Sequence, residues 1–492
     1  MHTNHRITVF MLVCFLAPST LIAAIIEPLV RAVDLDVGET HQVTLHDGTR
    51  ATVTLLELNE KRDSVRNAVR STQVEVKVNG QWASLVSSTY NLPTAIGGVQ
   101  IDCPITKGYI QNSSKANAWG LVKDARLRLW PSGSPWIHPG TFIYPVKQKW
   151  FASDTQMANA PCYVNACDIP GQKSIYYHYG LDFGGSEGMV EVVAATDGLV
   201  VSVRDHVLDD HKDSPIAPRY DVVCVLDDRG WYYRYSHLQM IATPVILGKR
   251  VKMGQRIGLI GKEGGSGGWS HLHFDIKCRQ PSGKWGTQNG YAFIWQAYQQ
   301  QYSPEIIAVA RPHHLVYTDE IVQLDASKSW AKTDKIVQYE WTFCDGTRAK
   351  GDTVKRVYKR AGQYSEIVKV TDSAGNFSYD FAVVYVIDRN HPERVPPAIH
   401  ANYYPTFGLR ANDEVMFEVR SFGTQHGEEV WDFGDRSTTV KVHSDGNANQ
   451  HNPEGYAITR HRYRKAGDYI VTVRHSDEHG YEAVGHLHVR IN

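Results

Sequence analysis

Short runs in which apolar and polar residues alternate recur along most of this chain. Alternation with a period of two puts successive side chains on opposite faces of a strand. Between residues 27 and 150 it is plain in HQVTLHDGTRATVTLLE, which turns at Asp47-Gly48, and in VEVKVNGQWASL, which turns at Asn79-Gly80. Such dipeptides favour the left-handed backbone of a tight hairpin. This stretch predicts an N-terminal β-rich domain. Its last segment, LWPSGSPWIHPGTFIYP, reads as extended connecting chain. From 151 to 302 the pattern is again strand, turn, strand, now dense in glycine: VEVVAATDGLVVSVRD, YDVVCVLDDRGWYYRYSHL and GQRIGLIGKEG. Helical spacing is confined to a weak candidate, YAFIWQAYQQQY.

After Pro304 the pattern repeats itself. YEWTFCDGT is echoed by EVWDFGDRS, 90 residues on from Trp341 to Trp431. RVYKRAGQYSEIVKVTDSAGN is echoed by HRYRKAGDYIVTVRHSDEHG, 105 residues on from Gly362 to Gly467. The second copy therefore carries about 15 extra residues, in TTVKVHSDGNANQHNPEGY. NHPERVPP links the copies. Two β-sandwiches are predicted, at 304–388 and 398–492, and the fold class is all-β and multidomain.

Composition narrows the class. A chain of 492 residues with zero formal net charge is long enough for several domains and gives no electrostatic support for binding nucleic acid. The first 24 residues have a basic lead at Arg6, an apolar stretch from Ile7 to Ala17 and small residues at Ala23 and Ala24. They read as a signal peptide, so the protein is expected to be exported, secreted or periplasmic, with no membrane span remaining after cleavage. Six cysteines follow: Cys103, Cys162, Cys167, Cys224, Cys278 and Cys344. Cys162 and Cys167 could close a small loop, and Cys224 and Cys278, both in predicted strands of one domain, could pair. Cys344 takes the place of Gly434 in the repeat and is expected unpaired in a core strand.

The candidate chemistry lies in GGSGGWSHLHFDI, where His271 and His273 share one face of a strand. An HxH pair alone is usually structural. Here YYHYGLDFGG adds His178 and Asp182 around Gly180, and YRYSHLQ adds His237. Two imidazoles and a carboxylate make a three-ligand zinc set with one position left for water. The second pair, His486 and His488, has no HxxxD upstream in its domain. It is expected on a solvent-facing strand, with His475 and His479 across the turn. His206, Asp209, Asp210, His211 and Asp213 sit in a long loop, Arg204 to Asp221, and read as solvated charges rather than a second metal cluster. One of Tyr176 and Tyr177 could place a hydroxyl near an oxyanion; packing is the alternative.

HYGLD, VVAATDGLVV, YYRYSHL, GKRVKMGQRIGLIG and HLHFDI occur in an order that resembles the lysostaphin-like (LytM-type) zinc endopeptidases. The resemblance covers roughly 175–280. It implies a compact antiparallel β fold with an open groove (the duplicated hybrid motif), one Zn2+ per chain held by His178, Asp182 and His273, and His237 and His271 as catalytic histidines. Trp269-Ser270 departs from the small residue and proline common in that family, which bears on substrate preference. WDFGD with RYRKAGDYIVTV, and YEWTFCDG with AGQY and VTDSAGN, resemble polycystic-kidney-disease (PKD) repeats, immunoglobulin-like sandwiches that bind protein or polysaccharide or act as spacers. Trp341 and Trp431 are then core residues. Together these imply a zinc metallo-endopeptidase cleaving amide bonds of peptidoglycan cross-links through a zinc-activated water. The alternatives are a peptidase for glycine-rich matrix proteins and a non-catalytic envelope scaffold. Cover of the groove by the N-terminal domain or by WFASDTQMANAPCYVNAC is a further possibility.

Overall fold

A computed structural model describes residues 26–87, 90–113, 117–149, 161–162, 175–333 and 335–492, with 161, 162 and 176 described as backbone only. The leader, Cys167, the side chain of Cys162, the side chain of Tyr176 and most of the 150–167 stretch lie outside the described residues.

The chain is nearly all β. Two four-stranded antiparallel sheets form the N-terminal part. One is a meander of Thr40–Thr44, Arg50–Arg62, Val69–Val78 and Gln81–Ser87; the other orders Arg31–Leu35, Ala125–Pro131, Val99–Thr106 and Thr94–Ile96. Both predicted hairpins are present. Asn79 (φ 47°) and Gly80 (φ 85°) make a two-residue turn in the left-handed region, which matches the twist of the strands it joins. Val33, Leu35, Val53, Leu55, Val74, Val76, Leu127 and Leu129 fill the space between the sheets. The Pro/Trp-rich passage does more than connect: Ile137, Phe142, Tyr144 and Val146 are buried in the core of the following region.

That region is built on an eight-stranded antiparallel sheet. Its main path runs Leu181–Gly184, His271–Arg279, Tyr232–Ser236, Val223–Leu226, Gly198–Val203 and His206–Val207. A second sheet orders Glu191–Val193, Arg256–Ile260 and Leu238–Ile241. The expected helix is present at Tyr291–Tyr302, with Phe293, Ile294, Trp295 and Ala297 buried. No helix among the described residues is long and apolar enough to cross a membrane.

Cys224 and Cys278 do not pair; both are free and buried. Strand Tyr232–Ser236 lies between theirs. Cys224 is opposite Arg234, and Arg234 is opposite Asp275, so Cys278, three residues beyond Asp275, points to the other face of the sheet. Cys103 and Cys344 are free as well. Cys344 is half-buried in the turn after strand Ile336–Thr342 rather than in a core strand.

In the C-terminal part, Trp341 and Trp431 are fully buried at the centres of two separate cores. One nine-stranded sheet runs through both. Strands Gly362–Asp372 and Glu482–Ile491 join it by a short parallel pairing, Gly362 with Glu482 and Gln363 with Ala483. This corrects the reading of the second histidine pair. His486 is buried, its Nδ1 is 2.7 Å from the Ser365 carbonyl, and it packs on Phe381. His488 lies against Tyr379. Their strand face meets the first sandwich, with His486 buried and His488 half-buried.

Candidate active site

Strand register assembles the site. Asp182 is opposite His273 on one side, and Ser236 is opposite His273 on the other, so three adjacent strands deliver side chains to one place. His237 follows Ser236 and breaks the strand with φ 66°, a conformation uncommon outside glycine. Its backbone N–H donates to Asp221 Oδ2 (2.8 Å), which holds this strained turn. His178 sits just before strand Leu181–Gly184.

The structure brings His178, Asp182 and His273 together as a group that could hold a metal ion. His178 Nε2 is 2.9 Å from His273 Nδ1, and both nitrogens are 3.0 Å from Asp182 Oδ1. Zinc bonds of about 2.0–2.1 Å to such donors give tetrahedral edges of roughly 3.3 Å. The triangle is slightly tighter than that, and its nitrogen and oxygen donors suit zinc. Gly180 is required by close approach rather than by bending. A Cβ there would lie 2.6 Å from His273 Cε1.

His237 and His271 flank this triangle. Their rings are 4.7 Å apart, and the His237 ring is 5.9 Å from that of His273. His271 Nε2 is 3.7 Å from Asp182 Oδ1. Its Nδ1 is 3.0 Å from the Trp269 carbonyl, and His237 Nδ1 is 2.6 Å from the Glu263 carbonyl. A carbonyl only accepts, so His271 Nδ1 carries the proton and its Nε2 keeps a lone pair. At His237 Nδ1 the Glu263 carbonyl competes with the Arg219 guanidinium, which can only donate (3.1 Å); the shorter carbonyl contact favours the proton on Nδ1. Burial pushes the His237 pKa well below its ordinary value, and the neighbouring His271, His273 and Arg219 add to that. Burial also lowers His271, to about 4, against the pull of Asp182. The five side-chain-bearing residues expose only 3–8% of their surface. Trp269 stacks on His271, and Arg219 lies beside His237.

Three contributors escaped the sequence reading. Asp275 Oδ2 is 3.4 Å from His273 Nε2. Burial raises its carboxyl pKa, but Lys277 and His273 outweigh that and hold it well below the usual range. A carboxylate behind a ligand histidine fixes its ring. The signal was present: in HLHFDI, His271, His273 and Asp275 alternate onto one face. Asp221 and the carbonyl of Glu263, which orient His237, lie far away in sequence and left no signal. The charged loop residues from His206 to Asp213 form no second such group among the described residues. Tyr177 is committed to packing: its hydroxyl accepts the Val69 N–H (2.6 Å) and bonds Asn112, both in the N-terminal part of the chain.

The family model described as peptidase family M23 matches residues 176–284, and that of the PKD domain matches 303–386. A 139-residue stretch is 34% identical to the peptidoglycan DD-endopeptidase ShyA of Vibrio cholerae, covering 28% of this chain. The chain spans about 27% of that relative's length. Among solved structures, the catalytic domain of the M23 protein EnpA from Enterococcus faecalis is 22% identical, with 29% of this chain and 93% of that one covered and a TM-score of 0.19. Lysostaphin of Staphylococcus simulans is 17% identical, with 47% and 87% covered and a TM-score of 0.21. This chain carries a peptidase family M23 (LytM-type) domain followed by a PKD domain.

Proposed function

We propose that this protein is an exported zinc metallo-endopeptidase that hydrolyses amide bonds in peptidoglycan cross-links. His178, Asp182 and His273 are the ligands, and His237 and His271 the catalytic histidines. The observation that carries this reading is the triangle of donor atoms 2.9–3.0 Å apart with two further imidazoles beside it. The stretch similar to a peptidoglycan endopeptidase supports the substrate class.

When bound, zinc supplies a Lewis acid that polarises the scissile carbonyl and makes water acidic enough to deprotonate near neutral pH. The protein does the rest. Asp182 and the two ligand imidazoles fix the position of the reacting centre, and Asp275 keeps the His273 ring in place. His271 is neutral with Nε2 free, so it can take the proton of the attacking water and return it to the leaving amine nitrogen. His237, also free at Nε2, can share that role; once protonated, it stabilises the developing oxyanion.

The test is zinc content by elemental analysis, paired with release of new amino groups from peptidoglycan and from elastin, for wild type and His271→Ala. One zinc per chain, cleavage of peptidoglycan by wild type, and a mutant that keeps zinc but loses cleavage are expected. Cleavage of elastin alone moves the substrate to matrix protein. No zinc and no cleavage overturns the enzyme reading and leaves a binding scaffold.

A further inference from the structure

Trp269-Ser270 occupies the place where the resemblance expects a small residue and a proline, and the surroundings of Trp269 are unusual for an active-site residue. Its ring stacks on His271 with centroids 3.7 Å apart and planes 16° apart. Its other side packs into an apolar cluster drawn from three separate parts of the chain. Val65 comes from the N-terminal region, Leu315, Tyr385 and Ile387 from the first sandwich, and Ala398 and Phe422 from the second. His400 of the second sandwich meets the indole edge-on at 4.9 Å.

The backbone on both sides of Trp269 is gripped as well. Asn447 Nδ2 donates to the Gly267 carbonyl (3.4 Å) and Arg420 Nη1 to the Gly268 carbonyl (2.5 Å). The Ser270 N–H donates to Tyr456 Oη (2.7 Å), which also bonds His400 Nδ1 (2.7 Å). His451 Nδ1 lies 3.1 Å from the Lys262 carbonyl. Gly268 has φ +85°, and a Cβ there would lie 2.2 Å from Asn447 Oδ1, so only glycine admits this approach. Arg420 is fully buried and held by a two-point pair with Asp445 and by the carbonyls of Asn449 and Gln450. Asp445, Asn447, Asn449, Gln450, His451 and Tyr456 all fall in the stretch that makes the second repeat longer than the first.

We propose that Trp269 is a positioning residue for His271, and that the long insertion of the second sandwich is the clamp that sets it. The two contacts Trp269 makes with His271, ring on ring and carbonyl on Nδ1–H, fix the ring plane and the tautomer together. Both depend on where the 261–270 loop is held, and the second sandwich holds it. The extra residues of the repeat thereby act on the hydrolytic centre without touching substrate. This inference rests on His271 being catalytic, as argued above.

The experiment uses the full mature chain with Trp269→Ala, Trp269→Phe, Tyr456→Phe and His271→Ala. Two readouts are taken: kcat and KM on a soluble cross-linked peptidoglycan fragment, and deuterium exchange of residues 261–271 in zinc-free protein. Misplacement of a reacting group by about 1 Å costs on the order of a hundredfold. Trp269→Ala should therefore lower kcat about 10- to 100-fold, with KM nearly unchanged and zinc retained. Trp269→Phe, which keeps a stacking ring, should recover most of that. Tyr456→Phe should lower kcat severalfold and speed exchange of the Ser270 amide. Full kcat in Trp269→Ala while His271→Ala is inactive overturns this inference and leaves the site reading intact. Full activity in His271→Ala overturns both. If Trp269→Ala does not fold, Tyr456→Phe decides: unchanged Ser270 exchange refutes the clamp even where no cleavage is measured.

Discussion

At the scale of single residues, the site depends on atoms that do not touch substrate. Gly180 and Asp275 both act on the His273 ring, one by leaving room for it and the other by facing its Nε2. Gly180→Ala places a Cβ 2.6 Å from His273 Cε1. The ring must turn away, and zinc affinity should fall about tenfold or more. Asp275→Asn removes the charge behind the ring and should cost about 10- to 100-fold in zinc affinity, the usual range for such partners. Competition with a calibrated chelator measures both, and unchanged affinity in both would separate the ring from the metal. The five candidate residues were legible because their types and spacing are unusual in strands: an HxH, an HxxxD across a glycine and an isolated SHL. Trp269 stood out only as a departure. Its meaning needed the three-part cluster around it, whose members lie between residues 65 and 422.

At the scale of elements, alternation located the strands but misjudged some of their faces. In ARLRLW leucine and arginine alternate along one strand. Leu127 and Leu129 do face the core of the N-terminal part, yet Arg126 and Arg128 are each only 1% exposed. On that face Arg128 donates to the Asn289 carbonyl of the neighbouring region, and Arg126 to the Trp119 carbonyl of its own. Each pairs across the sheet with a carboxylate, Arg126 with Asp34 and Arg128 with Asp102. A strand taken to face solvent made His486 and His488 look exposed, and a shared domain made Cys224 and Cys278 look like partners until the register put them on opposite faces. Periodicity says which residues share a face, not what lies against it. Removing one member of a buried pair strands a charge and costs about 3–5 kcal/mol. Asp102→Ala should therefore loosen strand Val99–Thr106 by about that much, read as faster deuterium exchange there. Asp47→Ala, in an exposed hairpin turn, should leave that strand's exchange unchanged.

At the scale of the whole molecule, the second sandwich and the peptidase region meet through a buried acid. Glu418 Oε2 accepts the Glu187 N–H (3.2 Å), beside the ion pair of Lys262 with Glu187 and near Ser186 and Tyr456. Burial raises its pKa from 4.5 to about 8; the bond to the Glu187 amide and the charge of Lys262 oppose the rise, and the Glu187 carboxylate adds to it. A docked acid that holds its proton more tightly than an undocked one favours docking fully below about 4.5. That contribution shrinks as pH rises and is gone above about 8. The slope between those limits is at most about 1.4 kcal/mol per pH unit for one proton. Docking of the sandwich on the 261–270 loop should therefore weaken as pH rises from 5 to 8. Glu418→Gln, which has no proton to lose, should remove the trend. Exchange of the Ser270 amide, taken as the ratio of wild type to Glu418→Gln at each pH to cancel base catalysis, reports it directly. A ratio that climbs toward pH 8 makes Glu418 a proton-sensitive latch between the insertion and the catalytic loop. A flat ratio assigns the docking to Arg420, Tyr456 and Asn447 alone.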